Sequence, residues 1–319
     1  MIERLVAKGL PLLLSTLGQQ SLSILIYHRV LSQPDFMRPS EPDVREFTWQ
    51  MKLVAAHFNV LGLHDAVKRL QSGDLPERAI CITFDDGYAD NATLALPILE
   101  RFGLPATVFV ATEFLNGGRM WNDTVIESLR NVAGSKLDLS GYGLENYDLG
   151  SEGLRRQCAR SILSAIKHQA PAMRQRTTDH IASLVTDLPN DLMLSDTQLR
   201  ELHEHGIEIG GHTHSHPILA SLSLEDAKQE ILLGKNKLES IIEAPIQAFA
   251  YPNGQPETDF LPQHRDYLAQ LGITTAVTTQ AGVSVAATDP LMLPRFTPWD
   301  QTPLRFLTRL LLNERNPVT

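Results

Sequence analysis

The sequence predicts an α/β protein built on a parallel sheet, closed into a barrel or left as a long open sheet. Three observations carry that prediction. Seven short apolar runs bounded by polar or turn residues read as buried parallel strands. They are Ser23–Tyr27, Ala79–Phe84, Ala106–Ala111, Ile207–Gly211, Ile246–Ala250, Ile273–Thr278 and Leu291–Arg295, with a weaker one at Phe58–Leu61. Helical patterns fall between the strands, which is the rhythm of parallel α/β architecture. Finally, 319 residues with 43% hydrophobic and 20% charged side chains can bury a sizeable core, and that balance excludes disordered, collagen-like and coiled-coil chains.

Taken in order, the N-terminal run Leu10–Leu14 follows Arg4 and Lys8. It lacks the small-residue cleavage site of a signal peptide, and a strand begins soon after, at Ser23. The expectation is a cytoplasmic chain, without a signal peptide, that can touch a membrane peripherally. No segment approaches the roughly 18 apolar residues of a membrane span. Residues 113–190 break the strand–helix rhythm. They hold Gly117-Gly118, a polar Gly-rich stretch from Gly134 to Gly153, and helical patterns near Glu152–His168 and Ala172–Leu188. This region reads as a helical insertion within a single domain spanning 1–319.

Ser195 with Gln198 forms a capping-box signature before Leu199 and Leu202, and Gly206 offers a stop. Ser223 caps a second helix that runs through Ile242. The closing stretch Leu304–Leu312 is apolar and carries Arg305 and Arg309, which suits a helix packed on the sheet or a basic amphipathic helix at a membrane surface. Two cysteines, Cys81 and Cys158, cannot make a disulfide framework, and Cys81 reads as a small core residue. A formal charge of −9 argues against non-specific nucleic-acid binding. Oligomeric state leaves no trace in the sequence.

Two motifs carry chemistry. Thr83-Phe84-Asp85-Asp86-Gly87-Tyr88 follows a buried strand. Two adjacent carboxylates there are costly unless they bind something or meet solvent. In a straight strand they would point apart, but Gly87 permits a turn that brings both to one mouth. The second motif is Gly210-Gly211-His212-Thr213-His214-Ser215-His216-Pro217. Extended at about 3.3 Å per residue, His212 and His216 would stand about 13 Å apart, so the chain must curl if both are to share an ion. His214, between them, would then point elsewhere. Together the motifs supply a carboxylate and two imidazoles with open positions, plus a second carboxylate beside them. That is the equipment of a metal-dependent hydrolase: one Asp holds the ion and the other takes a proton from water.

In this combination the sequence resembles the polysaccharide deacetylases of the NodB-homology group, carbohydrate esterase family 4. The resemblance runs from about Ser23 to Pro298, omitting the insertion, and includes His216-Pro217-Ile218-Leu219 leading into Leu222-Ser223 and a long helix. It implies a distorted (β/α)7–8 barrel, a divalent metal, usually zinc, and N-deacetylation of N-acetylated sugars. By position, Asp85 matches the general base and Asp86 the metal-binding aspartate. His212 and His216 match the metal histidines, and Thr213 the small hydroxyl residue of that motif.

Phe249-Ala250-Tyr251-Pro252-Asn253-Gly254 aligns with the third motif, which typically reads Arg-x-Pro-x-Gly. Ala250 stands where the base-orienting Arg is expected, and Arg295, at the end of a late strand, is the candidate replacement. The family's late His is also missing, because no His follows His264. The segment Ile26-Tyr27-His28-Arg29-Val30 resembles the opening of exopolysaccharide deacetylases with a rearranged barrel order, so His28 is the candidate acid. Tyr88, Tyr251, Pro252, Asn253 and Trp121 are the candidate substrate contacts.

One check does not depend on the resemblance. Barrel enzymes gather catalytic residues at the carboxyl ends of their strands. His28, Asp85, Asp86, His212, Tyr251 and Arg295 all fall at or just past the ends of the predicted strands. The expected function is removal of N-acetyl groups from a sugar, polysaccharide or lipid-linked glycan. A metal-dependent amidase acting on another amide, or a non-catalytic glycan-binding protein on the same fold, are the alternatives.

Overall fold

The computed structural model describes residues 20–319, so the Leu10–Leu14 run lies outside the described residues. Parallel strands β1 (Leu22–Tyr27), β3 (Ala79–Phe84), β4 (Thr107–Val110), β7 (Glu208–Gly211), β8 (Ala248–Ala250), β9 (Thr275–Ala281) and β11 (Leu293–Arg295) form the frame. They lie in the spatial order β11-β9-β8-β7-β4-β3-β1 within a ten-stranded sheet. Phe296, just past β11, donates to Ile24 O at 2.7 Å and accepts from Ile26 N at 3.0 Å, which brings the two edges together. The result is the expected distorted α/β barrel, nearly closed, with this seam between β1 and β11. Short strands β2 (Asn59–Val60), β10 (Val283–Ser284) and β12 (Pro317–Val318) extend the sheet beside β3 and β1.

Period-two alternation sorts each strand into an inner and an outer row. Leu22 and Ile24, Ala79 and Cys81, Phe109, Ala248 and Ala250, Val277 and Leu293 form one cluster. Helix α2 (Leu63–Ser72) adds Leu63, Ala66, Val67 and Leu70 to it and plugs the end of the barrel away from the strand carboxyl termini. The other row, including Leu25, Tyr27, Ile80, Ile82, Phe84, Val108, Val110, Ile209 and Phe249, packs under the surrounding helices. These include α1 (Val44–His57), α3 (Leu96–Phe102), α7 (Asp196–Glu204), α8 (Leu224–Ile242) and α9 (Pro262–Gln270).

The helix ends follow the sequence signals. Ser195 and Gln198 form the reciprocal capping box of α7, and Ser223 Oγ accepts from Asp226 N at the start of α8. The last helix, α10 (Pro303–Asn313), buries Phe306, Leu307, Leu310 and Leu311 and sets Phe306 edge-on to Trp49. It therefore packs on the barrel, while Trp299, Leu304 and Leu312 remain exposed. Among the described residues no helix is long and apolar enough to cross a membrane.

Between β4 and α7 the chain builds α4 (Trp121–Asn131), a hairpin of β5 (Lys136–Asp138) and β6 (Asn146–Asp148), α5 (Glu152–Ile166) and α6 (Pro171–Ser183). Helices α5 and α6 correspond to the two helical patterns. The hairpin and α4 were not visible in the sequence, because the hairpin strands are three residues each and lie in a polar, Gly-rich stretch. This segment has its own apolar cluster around Val125, Leu129, Leu149, Ile162 and Ile166, with Met37 of the β1–α1 loop joining it.

Candidate active site

The inner row of β3 reads Ala79, Cys81, Thr83, Asp85, so Asp85 is the side chain at the mouth end of the barrel interior. Alternation would send Asp86 outward. Instead Asp86 takes φ +75° and Gly87 φ +84°, which turns the chain within two residues. A Cβ on Gly87 would lie 2.8 Å from Val110 Cγ1, so the turn needs glycine both for its conformation and for space. Both carboxylates then line one cavity of about 430 Å³ together with His28, His212, His216, Tyr88 and Asn253.

Arg295 comes from the seam strand. The β11–β9 register shifts between Leu293 and Arg295, a bulge of the kind that re-aims a side chain. Its guanidinium is fully buried and grips Asp85 with two bonds of 2.7 Å, Nη1 to Oδ1 and Nη2 to Oδ2. Arg295 Nε donates to Thr278 O, and Nη1 also reaches Thr83 Oγ1. Burial alone would raise the Asp85 pKa, but the Arg295 charge and hydrogen bonds outweigh it and hold the carboxyl below its usual value. Ala250 thus does not leave the base without a partner: a guanidinium from another strand supplies one.

The second motif curls as required. Thr213 (φ +66°) and His216 (φ +56°) are both left-handed, conformations that cost non-glycine residues roughly 1–3 kcal/mol where the surroundings impose them. Thr213 Oγ1 accepts from His216 N at 3.1 Å and donates to His212 O. Helix α8 fixes the loop from behind. Glu230 accepts from His214 N, Ser215 N and Ser215 Oγ, and Lys237 Nζ donates to Thr112 O. Gly234 faces the Thr213 carbonyl so closely that a Cβ would stand 2.6 Å from its oxygen. His214 turns away to Thr112 Oγ1.

Asp86, His212 and His216 offer ligand atoms that all lie within 4.8 Å of one another. Both imidazole Nε2 atoms are 3.4 Å from Asp86 Oδ1. That separation is about the edge of a tetrahedron with bonds of about 2.1 Å, the geometry of a shared zinc-type ion. His212 Nδ1 lies 2.7 Å from Ala250 O, an oxygen that can only accept, so Nδ1 carries the proton and Nε2 presents its lone pair. Burial pulls the His216 pKa down to about 4, which keeps that ring neutral and able to ligate. Asp86 is held far below the usual carboxylate range, since His212, His216 and His28 outweigh its burial. The donor set fits a divalent cation.

His28 lines the same cavity, and Asn91 Nδ2 anchors its carbonyl at 2.9 Å. Burial lowers its pKa, but Asp86, Glu41 and Asp85 outweigh it and raise the net value. Of the candidate substrate contacts, Tyr88 and Asn253 line the cavity. Three others do not. Tyr251 is fully buried, stacks on Phe260 at 3.7 Å and donates its hydroxyl to Leu291 O. Pro252 next to it is buried as well. Trp121 packs against the α4–α6 cluster with the Arg174 guanidinium 4.9 Å over its ring. One face of its ring thus meets Arg174, and the residue is not part of the cavity lining.

The structure also brings in residues that the sequence did not single out: Arg29, Arg38, Ser40 and Glu41 of the β1–α1 loop, Asn122, Asp123 and Ile126 of α4, and Thr279. Arg29 pairs with Asp90 at 2.7 Å and lies 4.8 Å from the Tyr88 ring centre. Isolated charged residues in a loop and a helix give no periodic signal, so nothing in the sequence joined them to the site.

The fold and site together define an α/β barrel whose strand-end mouth sets a guanidinium-held acid beside three donors spaced to fit a cation. The chain belongs to the polysaccharide deacetylase family, whose model matches residues 72–276. A curated relative, YxkH of Bacillus subtilis (strain 168), is 23% identical over 256 residues, 80% of this chain, and the match spans 64% of that relative. The fold is similar to that of the Streptococcus pyogenes deacetylase PplD, at TM-score 0.62 and 18% identity, covering 92% of this chain and 99% of that one. It is also similar to IcaB from Ammonifex degensii, at TM-score 0.59 and 19% identity, covering 92% and 96% of the two chains. A third likeness is to the BpsB deacetylase domain from Bordetella bronchiseptica, at TM-score 0.55 and 18% identity over 88% and 97%.

Proposed function

We propose that this protein is a metal-dependent carbohydrate deacetylase that removes N-acetyl groups from an N-acetylated sugar, free, polymeric or lipid-linked, and releases acetate. The observation that carries the reading is the Arg295-held carboxylate of Asp85 beside the Asp86, His212 and His216 donors in a single cavity with His28. Asp86, His212 and His216 hold the divalent ion, zinc being the choice that suits their geometry. When bound, that ion supplies Lewis-acid polarisation of the amide carbonyl and acidifies water.

Asp85 receives the proton of the attacking water while Arg295 keeps it ionised and fixed in orientation. The Tyr88 segment offers backbone N–H to the oxyanion that develops on the carbonyl oxygen as water adds to the carbonyl carbon. His28 delivers a proton to the departing nitrogen as the C–N bond breaks, which leaves acetate and a free amine. Residues 113–190, in this reading, are an insertion of one barrel domain that walls the substrate cavity. The bidentate hold on Asp85 speaks against the non-catalytic alternative, because a binding module has no need of an oriented, ionised base.

Incubation of the purified protein with β-linked N-acetylglucosamine oligomers and a zinc salt tests the reading. Enzymatic measurement of free acetate, with chelator-treated protein alongside, is the readout. Zinc-dependent acetate release supports it. Release that persists fully after removal of every divalent ion, or release only from amides lacking a sugar, would overturn it.

A further inference from the structure

Part of the cavity lining takes no part in the chemistry above, and it is built by two segments outside the barrel. The β1–α1 loop supplies Arg38, and the first turn of α4 supplies Asn122 and Asp123. Arg38 is 7% exposed, and its Nη2 donates to Asp123 Oδ1 at 2.8 Å and to Glu127 Oε1 at 3.0 Å. Asp123 is 1% exposed and accepts from Tyr88 Oη at 3.2 and 3.1 Å. Two polar atoms of this wall are buried and have no partner: Arg38 Nε and Asn122 Oδ1. Buried donors and acceptors are nearly always satisfied, so a donor and an acceptor left without partners on two side chains that line one cavity point to a ligand that brings both.

We propose that Arg38, Asn122 and Asp123 form a subsite that recognises the hydroxyl groups of a neutral hexopyranose ring, either the ring bearing the acetamide or its neighbour. This rests on the proposed deacetylase reading and adds what the enzyme reads on its substrate. Each sugar hydroxyl both donates and accepts, which matches a guanidinium N–H beside an amide oxygen and a carboxylate. The surrounding charges argue against an anionic group. Arg38 and Arg130 are met by three carboxylates, Asp123, Glu127 and Asp35. Burial lifts the Asp123 pKa to about 6 against the pull of Arg38 and Arg29, so at neutral pH the carboxylate is present as an acceptor. The site is a specificity device attached to the barrel, with Tyr88 linking it to the Asp85-Asp86 turn.

The test uses the zinc-loaded full chain carrying Asp85→Asn, which holds substrate without consuming it, and a β-linked N-acetylglucosamine tetramer as probe in calorimetry. Adding Asn122→Ala or Asp123→Asn is expected to weaken tetramer binding at least tenfold, with zinc content unchanged. In the background that retains Asp85, the same two substitutions are expected to raise KM far more than they lower kcat. Unchanged affinity in both variants, or a tetramer that does not bind the Asp85→Asn parent, overturns the subsite. Tighter binding of N-acetylglucosamine 1-phosphate than of N-acetylglucosamine overturns its neutral character. Acetate release that neither variant alters removes the subsite and leaves the deacetylase reading standing. Absence of acetate release, with tetramer binding that responds to both variants, removes that reading and leaves the subsite.

Discussion

Arg295 and Asp85, 210 positions apart in the chain, meet in a bidentate ion pair with both nitrogen–oxygen distances at 2.7 Å. The pair joins the seam strand to the strand that carries the proposed base, away from solvent. Removing one partner of such a buried pair leaves an uncompensated charge and costs about 3–5 kcal/mol. Arg295→Met should therefore lower the melting temperature sharply and cut acetate release at least about 100-fold. Adding Asp85→Asn to Arg295→Met should restore much of the lost stability but none of the activity. Thermal melts of the two variants check this, and a double variant no more stable than Arg295→Met would refute the coupling.

The two adjacent aspartates should separate cleanly. Asp85→Asn is expected to retain bound zinc while acetate release falls by about 10²–10⁴-fold, the usual weight of a general base. Asp86→Ala, His212→Ala and His216→Ala should lose zinc and activity together. Elemental analysis after dialysis distinguishes the outcomes. Zinc lost from Asp85→Asn at the level seen for His212→Ala would dissolve the division of labour.

Gly234 offers a test from outside the cavity. In mid-helix, alanine is normally favoured over glycine by about 0.8–1 kcal/mol. Here the added Cβ would stand 2.6 Å from Thr213 O and 2.7 Å from Thr213 C, both backbone atoms, so the loop between His212 and His216 must move. Gly234→Ala should accordingly weaken zinc affinity about tenfold or more, a cost of about 1.4 kcal/mol, in spite of its better helix propensity. Competition against a calibrated chelator measures it. An affinity equal to the wild type would show that the loop is not held to that precision.

Glu41 sets up a prediction in pH. Burial lowers the His28 pKa, but Asp86, Glu41 and Asp85 more than reverse it, so the folded value lies above the ordinary imidazole value. As the proton donor, His28 works below its folded pKa and fails as pH rises through it. Loss of the His28 proton should then set the alkaline limb of kcat/KM, and Glu41→Gln should move that limb to lower pH. A limb that stays in place in Glu41→Gln, or that survives in His28→Gln, would take the donor role from His28.

Much of this was legible in the sequence because buried parallel strands leave a dense signal. Runs such as Ala79–Phe84 are apolar on both faces and end in polar residues, so the strand ends could be placed closely enough to point at Asp85 and His212. Arg295 could be suspected for the same reason, as a charge at the end of an apolar run. The rest depends on direction and packing. Tyr251 ends a strand too, but its side chain follows the outer row onto Phe260. Trp121 opens α4 on the side that faces Arg174. Arg38 and Asp123 lie 85 positions apart in segments without periodicity, and only the folded chain places them in contact.

The seam between β1 and β11 has a consequence for how the protein matures. All three candidate cation donors have been translated once His216 is made, yet the guanidinium that orients Asp85 follows almost eighty residues later. A chain that stops short of Arg295 can therefore carry every candidate ion ligand and still lack the group that orients the proposed base. The proposed base is oriented only when β11 slots in beside β1, so a late segment of the chain completes a site that its first strand begins.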